Sequence, residues 1–377
     1  MRRALSLLGS LALLCACAEE VPPPAQPTHP VKGAAVAAPA SAAASSGTVA
    51  TGDWRIRAAA YLDDRVHEDL VHPLRIPMLN QQMDCTANCH TTLPYLTARP
   101  LLPGRSAEQD AVRKAVAERV ASVDEWSSAT PWFMKSETIA AWSRGAEAVT
   151  DATALVDADL AQGRSVSRES LRALDLMWSQ QRADGAWDWF AFGMEPWETS
   201  DDCGAALAAT LVARLPAEIR ARAQPSVDRL ASYVRRRLAD AAHPAAMHQK
   251  THFLWASATW AELLGESQRR ILSEELVAKQ RPDGGWSLAT WGGGDLADPD
   301  GASDGYATSI ATLALCEGRA APASVVRGVE WLKHSQRADG AWPGRSVNEH
   351  DPLLDKFETD MATSFAVIAL TRCGRKG

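Results

Sequence analysis

The 377 residues predict an all-α chain whose helices close into a double ring, six outer and six inner. Three observations carry this. A seven-residue phrase, Q-R-x-D-G-x-W, occurs three times, beginning at Gln181, Gln280 and Gln336. Each copy follows an amphipathic run and precedes a loop and an Ala-rich apolar run, so each marks one outer-to-inner turn. The gap between the first two copies is nearly twice that between the last two, which leaves room for one hidden unit. A repeat array that closes on itself has no exposed end to cap.

The N-terminus reads as a targeting segment over residues 1–16. Arg2 and Arg3 precede a short apolar stretch, Leu5 to Leu14, too short for a membrane span. Leu14-Cys15-Ala16-Cys17 resembles the bacterial lipobox, which makes Cys17 the expected lipidated residue. The plain alternative is an ordinary signal peptide with an incidental Cys. Ala18 in place of Asp favours the outer membrane, facing periplasm or exterior. Residues 17–52 are rich in Pro, Ala and Ser and predict a disordered tether, because they hold too little apolar surface to fold.

The helical region runs over residues 53–377. The phrase is built for turns: Asp hydrogen-bonds nearby backbone and Gly accepts positive φ. Gln and Trp on either side are suited to bracing neighbouring elements. The outer runs are Arg168–Ser179, Gln268–Lys279 and Ser324–Ser335. The inner runs begin at Asp201, Asp304 and Asp360, where an N-cap or first-turn acid belongs. Their bodies, Ala205–Leu215, Ile310–Cys316 and Phe365–Leu370, are apolar on nearly every face and predict helices surrounded by protein. The hidden unit is read as Ser226–Ala241 with Thr251–Leu264. Upstream, Ala107–Ser122 pairs with Ser136–Ala154, and Trp54–Leu70 with Cys89–Leu102.

Q-R-x-D-G-x-W is similar to the QW motif of terpenoid cyclases and to repeats in protein prenyltransferase β subunits. The resemblance implies an (α/α)6 toroid with ligands entering where the inner helices begin. It covers most of the helical region and is specific for fold more than for reaction. The D-x-D-D acid of squalene–hopene-type cyclases and the D-D-x-x-D of ionising prenyl synthases are both absent.

Three candidate sites follow. Cys85, Cys89 and His90 form C-x-x-x-C-H, one residue longer than the c-type haem attachment pattern. The stretch from Cys89 to Tyr95 also resembles secreted cyclase-like proteins with C-x-x-C-H at this place. Covalent haem c with His90 on iron, a Cys85–Cys89 disulfide, and free thiols or a metal site all stay open. The resemblance to prenyltransferase β subunits implies a second site, since these hold zinc by an Asp-x-Cys pair and a His. Asp201 and Cys203 match the pair, and His252, read at the head of the next inner helix, would complete it. The plain alternative is a helix cap and a core cysteine. The third is an aromatic cavity lining of Trp132, Phe253, Trp255, Tyr306 and Phe365, which would suit an apolar ligand or would simply pack the core.

Net charge is −7 with no basic stripe, so nucleic acid is not an expected partner. The expected function is an envelope lipoprotein whose toroid binds or modifies an apolar, isoprenoid-like molecule. A redox protein carrying haem on Cys85, Cys89 and His90 is one alternative. A protein- or glycan-interaction module without catalysis is another.

Overall fold

A computed structural model describes residues 18–19, 53–71, 75–76, 81–83, 90–122, 137–291, 301–348 and 352–374. The outer helices are α1 (Trp54–Val71), α3 (Ala107–Ala121), α5 (Arg168–Ser179), α8 (Gln224–Ala239), α10 (Glu266–Ala278) and α12 (Pro322–His334). The inner helices are α2 (Thr92–Ala98), α4 (Glu137–Ala161), α6 (Asp201–Arg214), α9 (Met247–Ala256), α11 (Gly305–Glu317) and α13 (Pro352–Cys373). A short α7 (Ala217–Arg222) bridges α6 and α8. Each inner helix packs on the next in the order α2, α4, α6, α9, α11, α13, and α13 packs back on α2. The ring of six inner and six outer helices is therefore closed. Three strands of two or three residues, Ala18–Glu19, Gln81–Met83 and Arg75–Ile76, form a small antiparallel sheet in that order.

The two rings differ as their sequences require. On α5 the Ser167 hydroxyl caps the Ser170 N–H at 3.2 Å, and Ala173, Leu174 and Met177 form one buried face. On α11 every residue from Gly305 to Cys316 is buried, so this helix has no solvent face.

The three heptapeptides share one geometry. In each, the Asp carboxylate accepts the N–H two residues on at 3.1 Å, and the Gly sits at φ between +92° and +100°. The Trp is fully buried and its indole N–H donates to a carbonyl at the end of the preceding outer helix, at 2.7 to 2.8 Å. The Gln amide donates to the start of the next outer helix: Gln181 to Ser226 O at 3.0 Å and Gln280 to Ser324 O at 2.9 Å. Gln336 donates to Trp54 O at 3.0 Å, so the third copy joins the last outer helix to the first.

Two buried ion pairs add to this. Asp202 accepts from both Arg237 nitrogens at 2.8 Å and from the Tyr233 hydroxyl at 2.9 Å. Asp360 repeats the device with Arg65 and with Tyr61 at 2.7 Å, and adds Thr91 at 2.7 Å. Tyr and Arg stand one turn apart on the outer helix in both cases, so one face presents both donors. A Cys316–Cys373 disulfide joins the last turns of α11 and α13, with a Cα separation of 6.2 Å.

Two inner helices start earlier than the sequence suggests. α13 begins at Pro352, so Asp360 lies inside the helix and serves an ion pair rather than a cap. The fourth inner helix, expected at Thr251–Leu264, is Met247–Ala256. Thr251 resembles an N-cap, but its hydroxyl donates back to Met247 O at 2.8 Å within the helix. Residues 257–264 form turns instead.

Candidate functional site

The heads of the inner helices are covered by the loop after the first heptapeptide. Trp189 and Phe190 enter the ring, and the chain then folds back on itself. Gly193 donates to Glu198 O at 3.0 Å and Glu198 to Met194 O at 2.8 Å, with a cis Glu195–Pro196 bond at the tip. Asn348 latches this loop from across the ring: its side-chain oxygen accepts the Glu195 N–H at 2.9 Å and its amide donates to Glu195 O at 2.6 Å.

Cys203 lies directly beneath, in the first turn of α6 and fully buried. Its sulfur is 3.2 Å from the Thr199 hydroxyl, 3.5 Å from the Gln249 amide nitrogen and 3.6 Å from Pro196 O. His248, second residue of α9, is equally buried, and its Nδ1 stands 3.4 Å from Glu195 Oε2. Neither nitrogen of this ring makes a hydrogen bond of normal geometry. Burial alone would raise the Cys203 thiol, but His248, Thr199 and Gln249 outweigh it and hold the thiol below its usual value. Burial would lower His248, but Cys203 and Glu195 outweigh it and raise the imidazole to about 9. Both directions favour a thiolate–imidazolium pair.

Around this pair the pattern reverses. Burial pushes Glu198 and Glu358 well above the usual carboxylate range. It also lowers His90 to about 4. His90 Nε2 is 4.0 Å from Glu198 Oε1, and its ring stacks on Phe357 at 5.1 Å. Burial thus favours the neutral forms of Glu198, Glu358 and His90, while Cys203 and His248 are each shifted toward their charged forms.

Below the loop runs an apolar bore of about 80 Å³, walled by Trp189, Phe190, Trp197, Trp255, Met361 and Phe365. Its far end is the Trp255 indole, which donates to Glu317 at 2.9 Å and lies between the Arg214 and Arg372 guanidinium groups. Arg214 is held by both Asp157 oxygens at 2.9 Å. Beyond it the ring opens into a funnel of about 1080 Å³ at the C-terminal ends of the inner helices. Among the described residues, the wide opening is at the end opposite to the one the resemblance implied.

The sequence-derived candidates fall as follows. Cys17, Cys85, Cys89 and Trp132 lie outside the described residues. Trp255 and Phe365 line the bore. Tyr306 stands behind it, edge-on to Phe365 at 5.1 Å, and Phe253 is fully buried in the core between helices. Asp201, Cys203 and His252 are not brought together. Asp201 pairs with Arg182 at 2.7 Å, the Arg of the heptapeptide, and His252 Nε2 is 3.1 Å from the Tyr306 hydroxyl. His252 sits one turn deeper than expected because α9 starts at Met247. Burial holds its imidazole well below its ordinary value. Among the described residues, no group of three or more His, Cys, Asp and Glu side chains is arranged to hold a metal ion. Cys203 and His248 shift each other's charge instead. His248 was missed because Thr251 was read as the helix start; the extended Pro244–Ala246 stretch, one turn earlier, was the available signal.

The fold is a closed α/α toroid of six inner and six outer helices. No family model matches the sequence, and no curated protein matches it. Solved structures do match. The apo type II terpene cyclase MstE from Scytonema aligns at 13% identity over 85% of this chain and 97% of its own, with a TM-score of 0.53. The unsaturated glucuronyl hydrolase from Bacillus sp. GL1 aligns at 13% identity over 86% and 97%, with a TM-score of 0.51. A cyclase and a glycoside-degrading enzyme share this architecture, so the likeness is one of fold.

Proposed function

We propose that the toroid holds a slender apolar, isoprenoid-like molecule in its bore, in a chain exported and anchored to the cell envelope through Cys17. The observation that carries this is the wall of the bore: indole, phenyl and thioether groups meet there with few polar atoms, the composition expected of an apolar ligand site. The funnel beyond Trp255 offers room for the rest of a longer molecule. That the apo structure matched above is a terpene cyclase fits this class of ligand, and the Cys316–Cys373 disulfide supports an oxidising compartment.

The test is titration of the full chain with geraniol and geranylgeraniol, read by tryptophan fluorescence. Saturable quenching is expected. It should be lost in Phe365→Asp, which places a carboxylate in the apolar wall, while the helical circular dichroism stays that of the wild type. Quenching that never saturates, or that persists unchanged in Phe365→Asp, would overturn the proposal.

A further inference from the structure

The closed end contains a set of groups that ligand binding in the bore does not use. Cys203, His248 and Glu195 are each buried, and they come from α6, α9 and the covering loop. Geometry brings them into one cluster: the His248 Nδ1 faces Glu195 at 3.4 Å, and the Cys203 sulfur touches the residue next to each, Gln249 at 3.5 Å and Pro196 O at 3.6 Å. Such a polar cluster is costly to bury, and a plain core position would be filled by apolar side chains. The ring nitrogens of His248 and the Gln249 Oε1 are all left without a normal hydrogen bond. Each of these is fully enclosed, so the site has polar capacity that the folded chain does not satisfy.

We propose that Cys203, His248 and Glu195 are nucleophile, general base and orienting carboxylate of an acyl-transfer centre, held shut here by the Met194–Thr199 loop. A thiol, an imidazole and a carboxylate enclosed together, with the imidazole facing the carboxylate, are the groups of an activated nucleophile whose base is fixed by a third group. Gln249 places its amide nitrogen 3.5 Å from the sulfur, within reach of the oxygen of an attacked carbonyl. His248 takes the thiol proton and the sulfur attacks the carbonyl carbon of an ester. A C–S bond forms, the C–O bond breaks, and the alcohol leaves with the proton from His248. Water deprotonated by His248 then attacks the thioester, releasing a carboxylic acid and restoring the thiol.

The class of substrate follows from what adjoins the triad. The Trp197 ring lies 5.5 Å from His248 and also lines the bore, so an acyl chain leaving the sulfur enters an apolar channel. The preference for a long apolar acyl group rests on the binding proposed above; the reactivity of the thiol does not. Access requires the loop to lift, since Pro196 O covers the sulfur at 3.6 Å. The Asn348 pair holds the loop from outside the triad, so Asn348 is a positioning residue for the closed state.

The experiment uses the folded full chain with iodoacetamide and with p-nitrophenyl acetate and decanoate, reading alkylation at Cys203 by peptide mass and p-nitrophenolate release. The expected result is a stoichiometric burst of release with acyl mass on Cys203, followed by slower turnover, both lost in Cys203→Ser and slowed about a hundredfold in His248→Gln. Asn348→Ala should speed both reactions. Free imidazole should restore part of the rate to His248→Ala, which a merely structural role would not allow. Thermal melts of each variant establish that it is folded. No labelling of folded Cys203 in either wild type or Asn348→Ala, against full labelling after denaturation, would overturn the proposal. Equal rates in wild type and folded His248→Gln would do the same. Acetate turnover without a decanoate preference would keep the triad and remove the bore as its acyl site.

Discussion

The two ends of the toroid solve the same problem in opposite ways. At the end where the inner helices begin, polar groups are buried: Cys203, His248, Glu198 and Glu358 lie under a latched loop, and Asp360 and Asp202 are locked by arginines from the outer ring. At the other end the polar groups face an open funnel, where Arg214 and Arg372 flank one indole and a disulfide ties two helices. Helix direction does not dictate which end is sealed. Loop length does: among the described residues, the long segment after the first heptapeptide closes one end over Cys203, and short connections such as 318–321 border the other.

The largest effect that would break this contrast is Asp360→Ala. It leaves Arg65, Tyr61 and Thr91 facing an empty position and should cost about 3–5 kcal/mol, read as a lowered denaturation midpoint in urea. A loss under about 1 kcal/mol would mean that the sealed end does not depend on its ion pairs. Next is reduction of Cys316–Cys373, which removes a cross-link spanning 57 residues and should cost about 2–4 kcal/mol, with the melt compared with and without dithiothreitol. Strand-like or helical signals should otherwise survive, since this bond lies at the open end.

The smallest effect concerns pH and sharpens the contrast further. Glu198 has a folded pKa raised above its unfolded value, so its contribution to stability is present in acid and fades as pH rises. His248 is also raised, from 6.5 to about 9, so its contribution is complete below about pH 6.5 and is lost as pH passes about 9. Both losses fall at the sealed end. The His248 contribution should therefore be lost between about pH 6.5 and pH 9 and be absent from His248→Gln, and Glu198→Gln should flatten the decline that begins in acid. A Glu198→Gln melt that tracks the wild type at every pH would show that this carboxyl is not buried in solution.

Much of the ring was legible because its signals are local. Asp184, Asp283 and Asp339 each act within two residues of themselves, and the Trp of each copy needs a partner one outer-helix end away. The interior of the sealed end was less legible. Asp360 looks like a cap because an acid before an apolar run reads the same whether it meets a backbone N–H or Arg65, distant in sequence. Thr251 looks like a helix start because a hydroxyl that bonds backwards leaves no mark in the sequence. That one misreading moved attention from His248 to His252. Cys316 and Cys373 gave no pairing signal either, since their meeting depends on how the consecutive inner helices α11 and α13 align their last turns.

The hydrogen bond from Gln336 to Trp54 spans 282 positions of sequence. The first and last outer helices are thus neighbours, and the seam between them cannot form until nearly the whole chain has been delivered. Early units emerge with one flank bare, and the loop-closure entropy of that final contact is met late in folding. The same seam means that the circle can be opened at a junction other than the present one. A chain cut between α7 and α8 and rejoined through a linker from residue 374 to residue 53 would keep each neighbour it has now, whereas deleting one helix pair would leave five units to span a circle built for six.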